Sequence, residues 1–150
     1  MDKQTNITPE ESLGGLMGQA GKAMSRALIE RFRQTGIDIS LDQWIVLMHL
    51  WQEDGQNQAR LGETAGHSKT TVTRAIDSME KKSLVLRIPD QNDRRNKLIY
   101  LTHQGKDMQR SLMPSALRVQ REAEAGISPE DLEVCKGVLR KIFQNLKHYI

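Results

Sequence analysis

The stretch from Gln58 to Thr102 most limits what this 150-residue chain can fold into. It reads Q-A-R-L-G-E-T-A-G-H-S-K-T-T-V-T-R-A-I-D-S-M-E-K-K-S-L-V-L-R-I-P-D-Q-N-D-R-R-N-K-L-I-Y-L-T. A short helical pattern leads into a turn containing Gly66, and a longer helix opens at Ser68. Two short apolar runs follow, Leu84 to Ile88 and Lys97 to Leu101, parted by a polar tip. Helix, turn, helix and β-hairpin in that order predict a winged helix-turn-helix, a module that reads DNA.

The second helix carries most of that inference. Ser68 is a good N-cap and leaves Lys69 in the first turn. Val72, Ala75, Ile76 and Met79 recur at i, i+3, i+4 and i+7, which makes one apolar face. Thr70, Arg74, Asp77 and Lys81 then point the opposite way, with Thr73 on the flank. A helix docked in this motif offers its outer face, mainly the N-terminal half, to the major groove. Arg can bond a guanine edge bidentately, and Thr offers a hydroxyl to a base edge and a methyl to thymine. The expected DNA-contacting set is Ser68, Lys69, Thr70, Thr71, Thr73 and Arg74 on the helix, with Asp93, Arg94 and Arg95 at the hairpin tip. The plainer reading, a solvated face of an ordinary amphipathic helix, is disfavoured by the turn and hairpin around it.

The same segment resembles the MarR family of winged-helix regulators. The matching features are L-G-E-T-A-G-H-S-K-T-T-V-T-R (Leu61 to Arg74), D-R-R (Asp93 to Arg95) and L-T-x-x-G (Leu101 to Gly105), within a match of about 65 residues from Leu41. Three positions depart from the family pattern. Gly62 replaces a helix-friendly Ala, at a cost of up to ~1 kcal/mol in a helix interior. His67 replaces an apolar residue, and Ser83 stands where Gly usually ends the recognition helix. The resemblance implies a homodimer that represses transcription from a palindromic operator in double-stranded DNA. It further implies a small aromatic or phenolic effector bound between the reader and the dimerisation helices, and a pocket near Trp44 and Met48 is expected on that basis.

Charge agrees with a DNA reader. Net charge is +3, but its placement matters more. Residues 56–104 hold nine Lys/Arg and five Asp/Glu, a balance of +4, against thirteen and fourteen in the remainder, a balance of −1. The basic excess is confined to the reader, as a phosphate-facing surface requires. At 37% hydrophobic the chain is lean for its long amphipathic helices, so some of their faces are expected to be covered by a partner subunit. No signal peptide or transmembrane run is apparent, and the single Cys135 fits a reducing, cytoplasmic setting.

The fold class is mainly α (α+β winged helix), a winged helix-turn-helix flanked by dimerisation helices. Residues 8–35 form the N-terminal dimerisation helix, 40–104 the DNA-binding domain and 102–150 the C-terminal dimerisation helices. Residues 1–7 are polar and expected to be mobile. Thr8-Pro9-Glu10-Glu11 reads as the first helix start, Gly36 as its stop, and Ser40-Leu41-Asp42-Gln43 as a capping box. Gly14, Gly15, Gly18 and Gly21 are expected to permit close packing of another helix. The helix from Leu41 to about Glu53 is apolar on several sides and should be central. Asp54 to Asn57 reads as a turn, and Pro89 to Asn92 as the turn of the wing. Thr102 caps the next helix, in which Pro114 should kink the axis or break the hydrogen-bond ladder. In the last helix Leu132, Cys135, Leu139, Ile142, Leu146 and Tyr149 form a near-3.5-residue seam with Cys135 buried on it.

Other chemistries fit less well. His103 and Asp107 share a helix face, and His67, His148 and Cys135 are scattered, too few for the three or four ligands of a zinc shell. No glycine-framed nucleophile is present, so no catalytic residue, metal or cofactor is assigned. The competing readings are a winged-helix protein–protein module and a metal-responsive regulator.

Overall fold

The structure, a computed structural model, describes residues 7–150. The expectation of a mobile terminus therefore lies, for residues 1–6, outside the described residues. The elements are α1 (Leu13–Gln34), α2 (Leu41–Gln52), β1 (Gln56–Asn57), α3 (Gln58–Ala65), α4 (Lys69–Lys81), β2 (Val85–Pro89), β3 (Lys97–Leu101), α5 (His103–Glu124) and α6 (Pro129–Leu146). A short 3₁₀ turn, Lys147–Tyr149, follows.

Helix α1 starts later than its sequence suggests. Residues 8–11 form a turn, with the Ser12 amide donating to Thr8 O at 2.9 Å. Ser12 is the N-cap and accepts from Gly15 N at 2.9 Å. The turn folds back because Gly15 has no side chain; a Cβ there would lie 2.0 Å from Pro9 O. Of the four glycines expected to admit another helix, Gly15 thus admits the chain's own turn, and Gly14, Gly18 and Gly21 face open space. Gly36, at φ 79°, ends the helix as expected.

Helix α2 is the centre. Its capping box is complete: Gln43 N donates to Ser40 Oγ, and Ser40 N to Gln43 Oε1, both at 3.2 Å. It packs on α3, α4, α5 and β3. Trp44, Val46, Leu47 and Leu50 are buried among Phe32, Leu61, Ile76, Met79, Leu84, Ile99 and Leu112. Phe32, Trp44 and Trp51 form an aromatic chain with ring centroids 5.0 and 5.5 Å apart, each contact adding about 0.5–1.5 kcal/mol beyond area burial.

Residues 56–57, expected within a turn, are instead a strand. Gln56 pairs with Ile99 and Asn57 with Leu98, giving a three-stranded antiparallel sheet in the order β1-β3-β2. Gln56 is buried, and its Nε2 donates to His49 O at 2.9 Å and Glu53 O at 2.6 Å, capping the end of α2. The pairing of β2 with β3 runs from Val85↔Leu101 to Pro89↔Lys97, so the wing loop spans residues 90–96, longer than the expected four-residue turn.

The two helix-to-wing junctions close on each other. Ser83 takes the left-handed conformation, φ 59°, that ends α4. Thr102 Oγ1 donates to Ser83 O at 2.6 Å and accepts from Gly105 N at 3.0 Å, capping α5. A Cβ on Gly105 would lie 2.1 Å from Leu84 O. This is the physical content of the L-T-x-x-G spacing.

Helix α5 runs on through Pro114, which has no N–H and so removes one bond from the ladder, at Arg110 O, as expected. It packs on α1, where Arg31 Nη2 lies 2.6 Å from Glu122 Oε1. No residue of α6 is buried. Leu139 is 39% and Leu146 52% exposed, while Leu132 and Ile142 are half-buried. Cys135 is exposed, contrary to expectation, because α6 packs on little of its own chain. Its end returns to the helix-turn-helix, where the Phe143 ring lies 3.4 Å from the position a Cβ on Gly66 would take.

The left-handed turn predicts that Ser83→Gly stabilises the fold by about 0.5–1 kcal/mol, less any gain in unfolded-chain entropy. Gly105→Ala should cost about 1–3 kcal/mol or more, because backbone rather than a side chain must move. Denaturant unfolding of both variants measures each effect.

Candidate nucleic-acid interface

The recognition element is built from its turn outward. Gly66, at φ 68°, ends α3, and His67 N donates to Gly62 O at 2.9 Å. Ser68 caps α4, accepting from Thr71 N at 3.2 Å. Val72, Ala75, Ile76 and Met79 are all buried, the face the sequence predicts. Lys69, Thr70, Arg74, Asp77 and Lys81 are exposed, and Thr71 and Thr73 half-buried.

The family departures find local reasons. A Cβ on Gly62 would lie 3.2 Å from Val72 Cγ1, so glycine lets α3 and α4 approach closely. That contact opposes the gain in helix propensity an Ala would bring. His67 is largely buried and faces α2. Its Nε2 lies 3.4 Å from Asp42 Oδ1, an ion-pair distance when the ring is protonated, but without hydrogen-bond geometry. Nearby, burial and then the His67 charge hold the His49 imidazole below its usual pKa.

At the wing tip the two arginines differ. Arg95 Nε and Nη2 donate to the Asp93 carboxylate at 3.1 and 3.2 Å, and its amide donates to Oδ1 at 3.1 Å. The Arg95 guanidinium and amide hold the Asp93 carboxyl below the usual range. Arg94 is exposed and has no ion-pair partner among the described residues. Arg95, Lys97 and Lys69 line one open cleft of about 450 Å³ between the wing and the start of α4.

The sequence reading passes over Arg87 and Gln58. Arg87 lies on β2 with its side chain 19% exposed, ion-paired to Asp77 and Glu80 of α4. Gln58 opens α3 and bonds both Arg87 and Thr73. A signal existed: Val85 and Arg87 share the inward phase of a two-residue repeat, where a cation requires a partner.

The remaining candidates stand apart from this surface. Trp44 is 4% exposed and packed in the aromatic chain, whereas Met48 is 38% exposed on α2. His103 Nε2 pairs with Asp107 Oδ2 at 3.2 Å on the outside of α5. Among the described residues no three His, Cys, Asp or Glu side chains gather as a metal site would need. None of their helices is long and apolar enough to cross a membrane.

The profile of the MarR family matches residues 39–97, the span from α2 to the start of β3. A solved structure described as transcriptional regulator PA3341 is 30% identical, with 91% of this chain and 99% of that one aligned at a TM-score of 0.77. The chain belongs to the MarR family. An uncharacterized HTH-type transcriptional regulator of Bacillus subtilis, YwaE, is 28% identical over 109 residues, 73% of this chain. The match covers 64% of that relative's length. A MarR family regulator from Listeria monocytogenes, solved in complex with 26mer DNA, superposes at a TM-score of 0.82 with 20% identity, covering 91% of this chain and 90% of that one. The protein is a transcriptional regulator of the helix-turn-helix class, and its family relatives and structural neighbours are described as transcriptional regulators.

Proposed function

We propose that this regulator binds a palindromic operator in double-stranded DNA as a homodimer, represses transcription from it, and is released by a small aromatic or phenolic effector. The observation that carries the reading is the exposed outer face of α4, bearing Thr70 and Arg74, beside a wing whose Arg94 has no ion-pair partner among the described residues. Ser68, Lys69, Thr70, Thr71, Thr73 and Arg74 enter a major groove, and the tip Asp93-Arg94-Arg95 meets the flanking minor groove, whose negative potential attracts Arg. Asp93 orients Arg95, so Arg94 is the freer cation. The Listeria relative's DNA complex supports DNA as the partner.

The operator, selected from a random duplex pool, provides the test. Arg74→Ala should cost ~1–3 kcal/mol of specific binding if it reads a base, and relax preference at one position per half-site. Arg94→Ala should weaken binding to all sequences and reduce the log–log salt slope by ~0.9 per lost phosphate contact. Unchanged specificity in the first variant and an unchanged slope in the second would sink this docking.

Support for the dimer comes from apolar side chains the single chain leaves in water. Leu13, Leu16 and Met24 on α1, Leu117 on α5, and Val138 and Leu146 on α6 are each 45–55% exposed. Full burial of an exposed side chain of this size is worth about 1.5–3 kcal/mol, so covering the remaining half of each adds roughly 0.7–1.5 kcal/mol. A two-fold dimer would set the recognition helices about one helical turn, ~34 Å, apart. Sedimentation at micromolar concentration should give a dimer; a monomer would overturn the assembly.

The effector is proposed to act near Trp44 and Met48, where α2 meets the flanking helices. A ligand favouring a dimer with the wrong helix spacing weakens operator binding by no more than its differential affinity for the two geometries. Aromatic acids or phenols should change tryptophan fluorescence and operator affinity together. A dimer indifferent to all of them would remove this part of the proposal alone.

A further inference from the structure

Arg87 joins three elements through one guanidinium. Its Nη2 lies 2.6 Å from Asp77 Oδ1, and its Nη1 3.1 Å from Glu80 Oε1, both on α4. Its Nε donates to Gln58 Oε1 on α3 at 3.1 Å, and Nη2 also donates to Thr73 O at 3.4 Å. The amide end of Gln58 donates in turn to Thr73 Oγ1 at 3.1 Å. Thr73 Oγ1 donates its hydrogen to Lys69 O at 2.8 Å.

We propose that Arg87 is a positioning residue for DNA reading: it fixes the wing against the recognition helix and, through Gln58, holds Thr73 with its hydroxyl turned into the protein. The proposal rests on the DNA-binding reading above and deepens it. A guanidinium is suited to this task because its planar fork fixes the angles between several partners as well as the distances, which a lysine cannot do. Only Arg87 joins β2 to both α3 and α4 by side-chain bonds among the described residues. Two consequences follow for recognition. Thr73 has one hydroxyl hydrogen, already committed to Lys69 O, so it offers DNA its methyl and a remaining lone pair rather than a donor. Arg87 faces two carboxylates, so its charge offsets theirs on a helix that approaches phosphate and does not itself release counterions from DNA.

The test uses the full chain and the selected operator, with an unrelated duplex as the non-specific reference. Arg87→Met keeps the aliphatic stem and removes the fork. Operator affinity should fall roughly 10- to 100-fold, the scale of lost hydrogen bonds to charged groups. The salt slope should stay at the wild-type value, and Arg87→Lys should recover part of the loss. A slope reduced by ~0.9 would make Arg87 a phosphate contact and overturn the proposal. Full operator affinity in Arg87→Met would overturn it equally. If Arg87→Met does not fold, Gln58→Leu replaces it: a loss confined to operator binding supports the relay, and no loss removes it. The underlying reading fails separately, by a wild-type protein without sequence preference and an Arg74→Ala variant without effect, and that outcome overturns both.

Discussion

The structure turns on one closely packed joint, where the end of α4 meets the start of α5. Ser83 bends the chain, Leu84 dives into the core, and nineteen residues later Thr102 returns to hydrogen-bond the Ser83 carbonyl. Gly105 admits the Leu84 backbone to a distance that no side chain would tolerate. Trp51 adds a third party, its indole N–H donating to Gly105 O at 3.0 Å. The wing begins and ends at this joint, and α5 leaves from it. The angles between recognition helix, wing and long flanking helix are therefore set by a few backbone contacts rather than by the bulk of the core. Each of these contacts has a backbone group on at least one side, and the Thr102 and Trp51 side chains that complete them are tied to that backbone by hydrogen bonds.

Around that joint the charges sort themselves by partner. Residues 56–104 carry five acids against nine bases, yet the acids nearest the reading face do not stand free. Asp77 and Glu80 are held by Arg87 from behind, and Asp93 by its neighbour Arg95. Lys69, Arg74, Lys81 and Arg94 remain exposed without an ion-pair partner among the described residues. A helix with mixed charges thereby presents a surface positive toward an approaching polyanion. The same pairing explains how Asp77 can occupy the outer face without spoiling the fit.

The sequence disclosed what is set locally. Ser40, Ser68 and Thr102 each cap the helix their spacing announced, and the apolar face of α4 is buried residue for residue. What it concealed depends on distant partners. Strand β1 is two amide residues with no strand signature, formed because β3 offers them an edge. The later start of α1 depends on Pro9 O finding room above Gly15. Arg87 shares the inward phase of β2 with Val85, but its partners are fixed only when the sheet places it behind α4. The heptad-like stripe of α6 predicts a buried Cys135, but a stripe shows which face is apolar and not what covers it. The departures at Gly62 and Ser83 were visible as exceptions, and their meaning, a close helix approach and a left-handed residue, belongs to the folded chain.

The distance between recognition and assembly is short in bonded terms. Helix α5 has 22 residues and so spans about 33 Å, from the joint to the region where Arg31 of α1 pairs with Glu122. At its near end Gly105 is tied to Trp51, and Trp51 stacks edge-on against Trp44, which in turn packs on Phe32 of α1. The circuit α1, α2, α5 thus closes through aromatic contacts, the Trp51 hydrogen bond and the Arg31–Glu122 ion pair, and the wing starts and ends at its α5 corner. Close-packed interiors accommodate displacement by moving whole elements rather than by compressing. A shift of α1 against α5 therefore has two outlets: it repacks Phe32 against Trp44, or it carries the joint, and with it the wing. On the proposed dimer, whose exposed apolar stripes lie on α1 and α6, the second outlet converts a change at the subunit contact into a change in the angle of the reading surface. Trp44, which together with Met48 is the proposed effector site, sits in the middle of that route, and this position is a physical argument for that proposal over the open cleft beside the wing.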